Sequence, residues 1–277
     1  MEPVLKWAGG KRQLLNELSK FVNNELLKGH KYYEPFVGGG ALFLALEHNN
    51  IVINDSNSEL INVYNVIKNN PNELIAELNN HAKKHSKEHF YEVRAWDRKP
   101  SYLKMSDVKR AARIIYLNKT CFNGLYRVNS KGYYNVPIGR SVTANQDIVM
   151  SSRILNLSNY LNNNDIVIRC GDFAESVKDA KEGDFVFFDP PYDYEKEGFN
   201  YYVKTGFTHK DLERLKKVCD SLIDRGCYVL ICNNDTSFVR KCFNNAYYTI
   251  NEVLTKRFIG NSEKRPIANE VIIFGHK

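Results

Sequence analysis

No stretch of the chain approaches the roughly 18 apolar residues that a bilayer-spanning helix needs, and Met1-Glu-Pro-Val4 lacks the basic-then-apolar pattern of a secretory signal. The sequence predicts neither a membrane protein nor a secreted one. Cysteine is scarce: the six, at 121, 170, 219, 227, 232 and 242, include no C-x-x-C. That argues against a zinc site, whose ligands need such spacing, and no metal is expected. Most lie in apolar runs such as Cys227-Tyr-Val-Leu-Ile-Cys232 and read as reduced thiols, buried as small hydrophobes in a cytoplasmic protein. Internal repeats and low-complexity tracts are missing, and the asparagine pairs fall at expected loops and helix ends. With 43% apolar and 26% charged residues, the 277-residue chain has no disorder signature. Its length suits one large domain or two modest ones.

The net charge of +7 is unevenly spread. Residues 81–140 hold 14 basic and four acidic residues, an excess of +10, so the rest of the chain sums to −3. Aromatics (Tyr91, Trp96, Tyr116, Phe122, Tyr126, Tyr133, Tyr134) interleave with the basic residues. A charge run is usually a solvated helical face, but an excess confined to one aromatic-rich block points to a polyanion partner.

Short apolar strands are expected at Tyr32–Phe36, Ile51–Asn54, Ile166–Cys170, Phe185–Phe188, Tyr228–Cys232, Tyr247–Glu252 and Val271–Phe274. Helix-period stretches at Lys11–Lys28, Ala41–Asn49, Arg153–Leu161 and Lys210–Arg225 separate them. This alternation predicts a doubly wound α/β sheet. Between Ser58 and Asn118 the rhythm breaks into helical patterns alone: Glu59–Lys68, Asn72–Trp96 and Ser106–Asn118. A β-hairpin is expected at about 122–138, with Asn129-Ser-Lys-Gly132 as its turn. Residues 57–140 thus read as a helical insert ending in a hairpin, coincident with the basic block.

Glu34-Pro-Phe-Val-Gly-Gly-Gly40 joins a strand to a helix, and its glycines allow a ligand close to the backbone. A dinucleotide fingerprint from Gly38 would need glycine where Phe43 stands, and a P-loop would need other residues at Leu5 and Arg12. The loop suits a nucleoside without a pyrophosphate. Asp55 ends the next strand, where a carboxylate can accept from ribose hydroxyls or cap the following helix; the roles are compatible. Asp172 and Phe173 follow the strand Ile166–Cys170 and offer an acceptor for an exocyclic amine and an apolar ring face, although an aspartate there is commonly a turn residue. Lys6-Trp-Ala-Gly-Gly-Lys-Arg12 reads equally as a helix entry with Trp7 packed.

The sharpest motif is Asp189-Pro-Pro-Tyr192, at the end of Phe185-Val-Phe-Phe188. Two prolines fix a donor-free backbone with exposed carbonyls, the carboxylate adds an acceptor, and the tyrosine adds a face for a planar ring. Methylation of an exocyclic amine needs this set, because the nitrogen lone pair is delocalised into the ring. Accepting both hydrogens on Asp189 and the Pro190 carbonyl favours a tetrahedral nitrogen aimed at a methyl donor, by electrostatic preorganisation more than by full proton abstraction.

Taken together and in order, Lys6-Trp-Ala-Gly-Gly-Lys11, Glu34-Pro-Phe-Val-Gly-Gly-Gly40, Asp55, Asp189-Pro-Pro-Tyr192 and Asn123-Gly-Leu-Tyr-Arg-Val-Asn129 resemble the Dam-type, D12 class (alpha group) DNA adenine-N6 methyltransferases, including the GATC-modifying enzymes of restriction–modification systems. The resemblance spans Lys6 to about Phe274. It implies a Rossmann-like doubly wound methyltransferase sheet from residues 1–56 and 141–277, with 57–140 recognising the target. It implies an S-adenosylmethionine pocket lined by Trp7, Lys11, Phe36, Gly38, Gly40, Asp55, Asp172, Phe173 and Asp189, with S-adenosylhomocysteine as product. Asp189, Pro190, Pro191 and Tyr192 would hold a flipped adenine, Tyr192 stacking on it. On the DNA side, Arg127 would read a guanine, Phe122 would fill the gap left by flipping, and Pro137 would support base contacts. Leu125 and Asn129 would join them, while Asn118, Asn123, Asn135 and Arg140 would shape or flank the hairpin. Gly260-Asn-Ser-Glu-Lys-Arg265 reads equally as a phosphate grip or an exposed turn.

Val128 departs from the tyrosine that many GATC enzymes carry after the arginine. The implied partner is double-stranded DNA; a cognate restriction endonuclease acting on the same site is compatible, with no direct contact implied. The alternatives are an RNA adenine methyltransferase, which the hairpin disfavours, and a protein glutamine-N5 methyltransferase, which has no need of the basic insert. A non-catalytic DNA-binding relative is disfavoured by the presence of Lys11, Asp55 and Asp189.

Overall fold

In strands β1 (Tyr32–Glu34), β2 (Asn50–Asp55), β3 (Asp165–Cys170), β4 (Phe185–Phe188), β5 (Tyr228–Asn234), β6 (Tyr248–Lys256) and β7 (Ile267–Gly275), apolar residues alternate between the two faces. The computed structural model describes residues 1–7, 11–139, 147–194, 206–256 and 267–277. It joins these strands into one sheet of order β3-β2-β1-β4-β5-β7-β6. Pairing is parallel except that β7 runs antiparallel to both neighbours, setting Asn234 opposite Glu270. The strand order reverses between β1 and β4, and in such sheets ligands bind outside the carboxyl ends of the strands at the reversal. Glu34-Pro and Phe188-Asp lie there.

Tyr33, Val52, Val186, Phe188, Val229 and Ile231 face one core with Leu212, Leu215, Cys219 and Leu222. The latter belong to α8 (His209–Asp224), whose entry is fixed by a capping box: Thr208 Oγ1 accepts from Asp211 N, and Asp211 accepts from Thr208 N. Tyr32, Ile51, Ile53, Phe185, Phe187, Leu230 and Cys232 face the other core. There the sheet is covered by α2 (Ala41–Leu46), α3 (Ser58–Asn69) and α7 (Ser151–Asn163), and α4 (Pro71–Lys83), α5 (Lys87–Arg94) and α6 (Asp107–Thr120) extend the same apolar cluster outward. Each Val, Leu, Ile or Phe so buried contributes about 1.5–3 kcal/mol.

Several expectations need correction. Lys11–Lys28 is not one helix but a 3-10 turn (Lys11–Leu14), a single turn α1 (Leu15–Leu18) and further turns. Ser19 Oγ bonds back to Asn16 O, and Asn23 Oδ1 takes Leu26 N, so local side chains outbid the helix ladder. Asn72–Trp96 splits into α4 and α5 because Ser86, extended at φ −155°, caps α5 by accepting from His89 N. The hairpin is irregular. Its strands meet only at isolated bridges, Val128 to Tyr134 and Cys121 to Ile138, and Phe122–Gly124 forms a 3-10 turn with Asn123 at φ 56°. A short helix, α9 (Ser237–Cys242), capped by Thr236, was not expected.

All six cysteines are free thiols, four of them buried. Among the described residues, no helix is long and apolar enough to cross a membrane, and no grouping of three or more His, Cys, Asp or Glu is placed to hold a metal ion.

Candidate active site and the adjoining hairpin

After β1 the chain turns through Gly38 (φ 48°) and Gly40 (φ 72°) into α2. The glycines serve close approach as well as backbone conformation. A Cβ on Gly38 would stand 2.8 Å from Trp7 Cδ1, and one on Gly40 would stand 2.1 Å from Phe43 Cε1. Asp55, at the tip of β2, accepts from Gly38 N (3.1 Å) and Asn57 N (2.9 Å), while burial raises its pKa. The cap of α3 is Asn57, which accepts from Glu59 N and Leu60 N, so Asp55 is not the helix N-cap.

Across the crevice, Phe36 stacks on Phe173 (centroids 5.3 Å apart) and meets the edge of Phe207. Asp172 forms a bidentate pair with Arg214, which holds its carboxyl below the usual range, and accepts from Ala174 N. The Arg214 guanidinium lies 4.6 Å from the Phe173 centroid. These carboxylates and rings fit a nucleoside: Asp55 at β2 offers acceptors to hydroxyls, and Phe36 and Phe173 offer apolar faces, while the glycine turn lets Trp7 and Phe43 pack against its backbone. The structure brings Trp7, Phe36, Gly38, Gly40, Asp55, Asp172 and Phe173 to this one crevice.

Asp189 leaves β4 beside Lys11, whose Nζ lies 2.7 Å from Asp189 Oδ1. Burial pushes the Asp189 carboxyl up to about 6, against the Lys11 charge that draws it down. For Lys11, 6% exposed, burial favours the neutral amine, but Asp189, Cys232 and Glu270 outweigh it and the pKa rises. Lys11 Nζ also sits 4.5 Å from the Tyr192 ring centroid, and Tyr192 Oη donates to Glu270 Oε2 at 2.8 Å. Below the pair, Glu34 accepts from Tyr32 Oη (2.8 Å) and Phe43 N (3.1 Å), and burial raises it to about 8. The loop's exit is pinned. Asp193 donates its N–H to Asn233 Oδ1, its carbonyl accepts from Asn234 Nδ2, and its carboxylate takes Thr236 Oγ1 and contacts His209 Nε2.

Sequence reasoning missed Arg214, Glu270 and the Asp193 cluster. Glu270 left one signal, a carboxylate directly before the apolar run Val271–Phe274.

The hairpin is tied to this crevice. Asn118, buried, accepts from Lys6 N and donates to Lys6 O and Gly124 O. Trp7 stacks on Tyr126, centroids 5.1 Å apart. Phe122 (42% exposed), Asn123, Arg127 and Pro137 stand at the surface, and Arg127 Nε donates to Asn135 Oδ1 at 2.7 Å. Leu125 is half-buried, its carbonyl accepting from Tyr134 Oη. Asn129 Oδ1 is consumed by Lys131 N and Tyr133 N within the turn. Arg140 and Gly260–Arg265 lie outside the described residues.

The basic block is only partly outward. Arg113 is 2% exposed, donating to Val93 O and Arg94 O and pairing with Asp97, and Arg110 pairs with Glu59.

Comparison with known proteins agrees with this geometry. The chain is 42% identical to a Type II methyltransferase, M1.LlaDCHI, of Lactococcus lactis subsp. cremoris, over 99% of this chain and 95% of the relative. It is 38% identical to the Type II methyltransferase M.MjaIII of Methanocaldococcus jannaschii, over 94% and 93% of the two chains. It is 30% identical to the DNA adenine methylase of Escherichia coli K12, over 87% and 84%. Residues 7–259 match the family of D12 class N6 adenine-specific DNA methyltransferases. With a seven-stranded methyltransferase sheet carrying Asp-Pro-Pro-Tyr at its reversal point, this chain belongs to that family, and it is an adenine-specific DNA methyltransferase.

Proposed function

We propose that the chain methylates N6 of an adenine flipped out of double-stranded DNA, within GATC, using S-adenosylmethionine. The observation that carries this reading is the placement of Asp189, Lys11 and Tyr192 together beside the glycine turn and Asp55. S-adenosylmethionine supplies an electrophilic methyl group when bound. Asp55, Phe36, Phe173 and the Gly38–Gly40 turn would hold it, and Asp172 would offer an acceptor to its base once Arg214 yields a carboxylate oxygen.

Tyr192 stacks on the target base. Ionised Asp189 and the Pro190 carbonyl accept the two amine hydrogens, which turns the N6 lone pair toward the methyl carbon. As the N–C bond forms and the methyl carbon's bond to sulfur breaks, leaving S-adenosylhomocysteine, N6 gains positive charge and sheds one proton, for which Asp189 would be the acceptor. Lys11 holds Asp189 in place and keeps it ionised at neutral pH. Flipping costs a few kcal/mol of unstacking, offset by the pocket and by Phe122 entering the gap. Arg127, braced by Asn135, reads guanine in the major groove. The GATC assignment is supported by the hairpin pattern Asn123–Asn129.

Plasmid from a host lacking adenine methylation, expressing this chain or its Asp189→Ala variant, tests the reading. Digestion uses one nuclease blocked by methylated GATC and one requiring it. Protection and sensitivity are expected only with the unmutated chain. N6-methyladenine in total nucleosides without change at GATC would discard the site, and its absence from DNA would discard the activity.

A further inference from the structure

We propose that Glu270 is a positioning residue for methyl transfer: its carboxylate sets the plane of the Tyr192 ring and thereby of the base stacked on it. The inference rests on the function proposed above. Glu270 stands on β7 opposite Asn234 of β5 and reaches the catalytic loop from outside the motif. Tyr192 Oη donates to Glu270 Oε2 at 2.8 Å. A phenolic O–H prefers the plane of its ring, so an acceptor fixed in the sheet limits both the tilt and the spin of the side chain. Lys11 Nζ, 4.5 Å from the centroid, covers one face of the ring. A base can therefore stack only on the other face, and its amine reaches Asp189 only if the ring keeps its plane. A small error in this geometry is expensive, because near-attack alignment carries much of the rate. The carboxylate also places a second negative charge near Asp189 and Lys11.

The test uses the full chain with E270A, E270Q, Y192F and the double variant E270A/Y192F. Single-turnover methyl transfer to a GATC duplex is measured against pH, together with duplex affinity. E270A and Y192F are each expected to slow transfer by about 10- to 100-fold while duplex affinity stays within about twofold. The double variant is expected to be no slower than either single one. E270Q, which keeps the acceptor, recovers most of the loss, and the acid limb of its profile moves to lower pH because one charge has left Asp189.

A wild-type rate in E270A, additive losses, or an E270Q profile with an unmoved acid limb overturns the inference. So does a rate lost together with duplex binding, which would make the contact merely structural. Should E270A fail to fold, Y192F and E270Q decide by the same criteria. Inactivity of the wild-type chain on every DNA would overturn the proposed function itself, and this inference with it.

Discussion

In the proposed reaction Asp189 accepts hydrogens from a weakly basic amine, and only its ionised form offers a full set of lone pairs. Burial holds the carboxyl near 6, and without the Lys11 charge it would climb further. The sign follows: transfer is fast above about pH 6 and falls about tenfold per unit below it, as the fraction of ionised Asp189 falls. Single-turnover rates from pH 5 to 8 at saturating DNA and S-adenosylmethionine check this, and a rate unchanged down to pH 5 would remove Asp189 as the titrating acceptor. The motifs of the candidate site were legible because they sit at strand ends, where a carboxylate after an apolar strand has a limited set of uses. Glu270 was not, since its role depends on β7 folding back beside β5, and nothing local to Asn269-Glu-Val271 reveals that pairing.

The hairpin shows what an element adds beyond its residues. Asn118 spans Lys6 and Gly124, and Trp7 stacks on Tyr126, so the hairpin is anchored to the segment that packs against the glycine turn. Arg127 lies at its surface with Nε on Asn135 Oδ1, which leaves both terminal nitrogens for a bidentate contact. Arg127→Ala is expected to cost roughly 1–3 kcal/mol at one base pair and to relax preference there. Competition between cognate and singly substituted duplexes measures it; a uniform loss across all sequences would make Arg127 a phosphate contact. The hairpin's turn was legible from Asn129–Gly132, but its irregularity was not, because the left-handed Asn123 and the Asn118 bonds replace ladder pairing with long-range ties. Helix ends failed in the same way: Ser86 and Asn23 stop helices through local hydrogen bonds that apolar periodicity does not register.

For the molecule as a whole, the strand–helix alternation was enough to foresee a doubly wound sheet, while the charge count overstated how much of the basic block reaches the surface, since Arg113 is spent inside it. The sheet's centre also carries a pH dependence. Glu34 is buried beneath the Lys11–Asp189 pair and holds its proton to about pH 8, whereas in the unfolded chain it loses it near 4.5. Between those values the folded state binds more protons, so stability is greatest below the unfolded pKa and declines as pH rises to about 8. Asp189 adds a decline of the same sign, finished by about pH 6, and His81, lowered to about 4 by burial, adds a rise finished by about 6.5. From pH 6.5 to 8 the Glu34 decline dominates, because the opposing rise from Lys119, lowered to about 8 by burial, begins only at the upper end. Across it, urea unfolding of the wild-type chain is expected to lose up to about 2 kcal/mol, the limit set by one proton over that span. Glu34→Gln keeps an acceptor for Tyr32 Oη and Phe43 N but cannot ionise, so its stability should be flat over the same interval and should overtake the wild type at the alkaline end. Parallel curves for the two proteins would show that Glu34 is already ionised in the folded state and that the charge beneath the active site is tolerated.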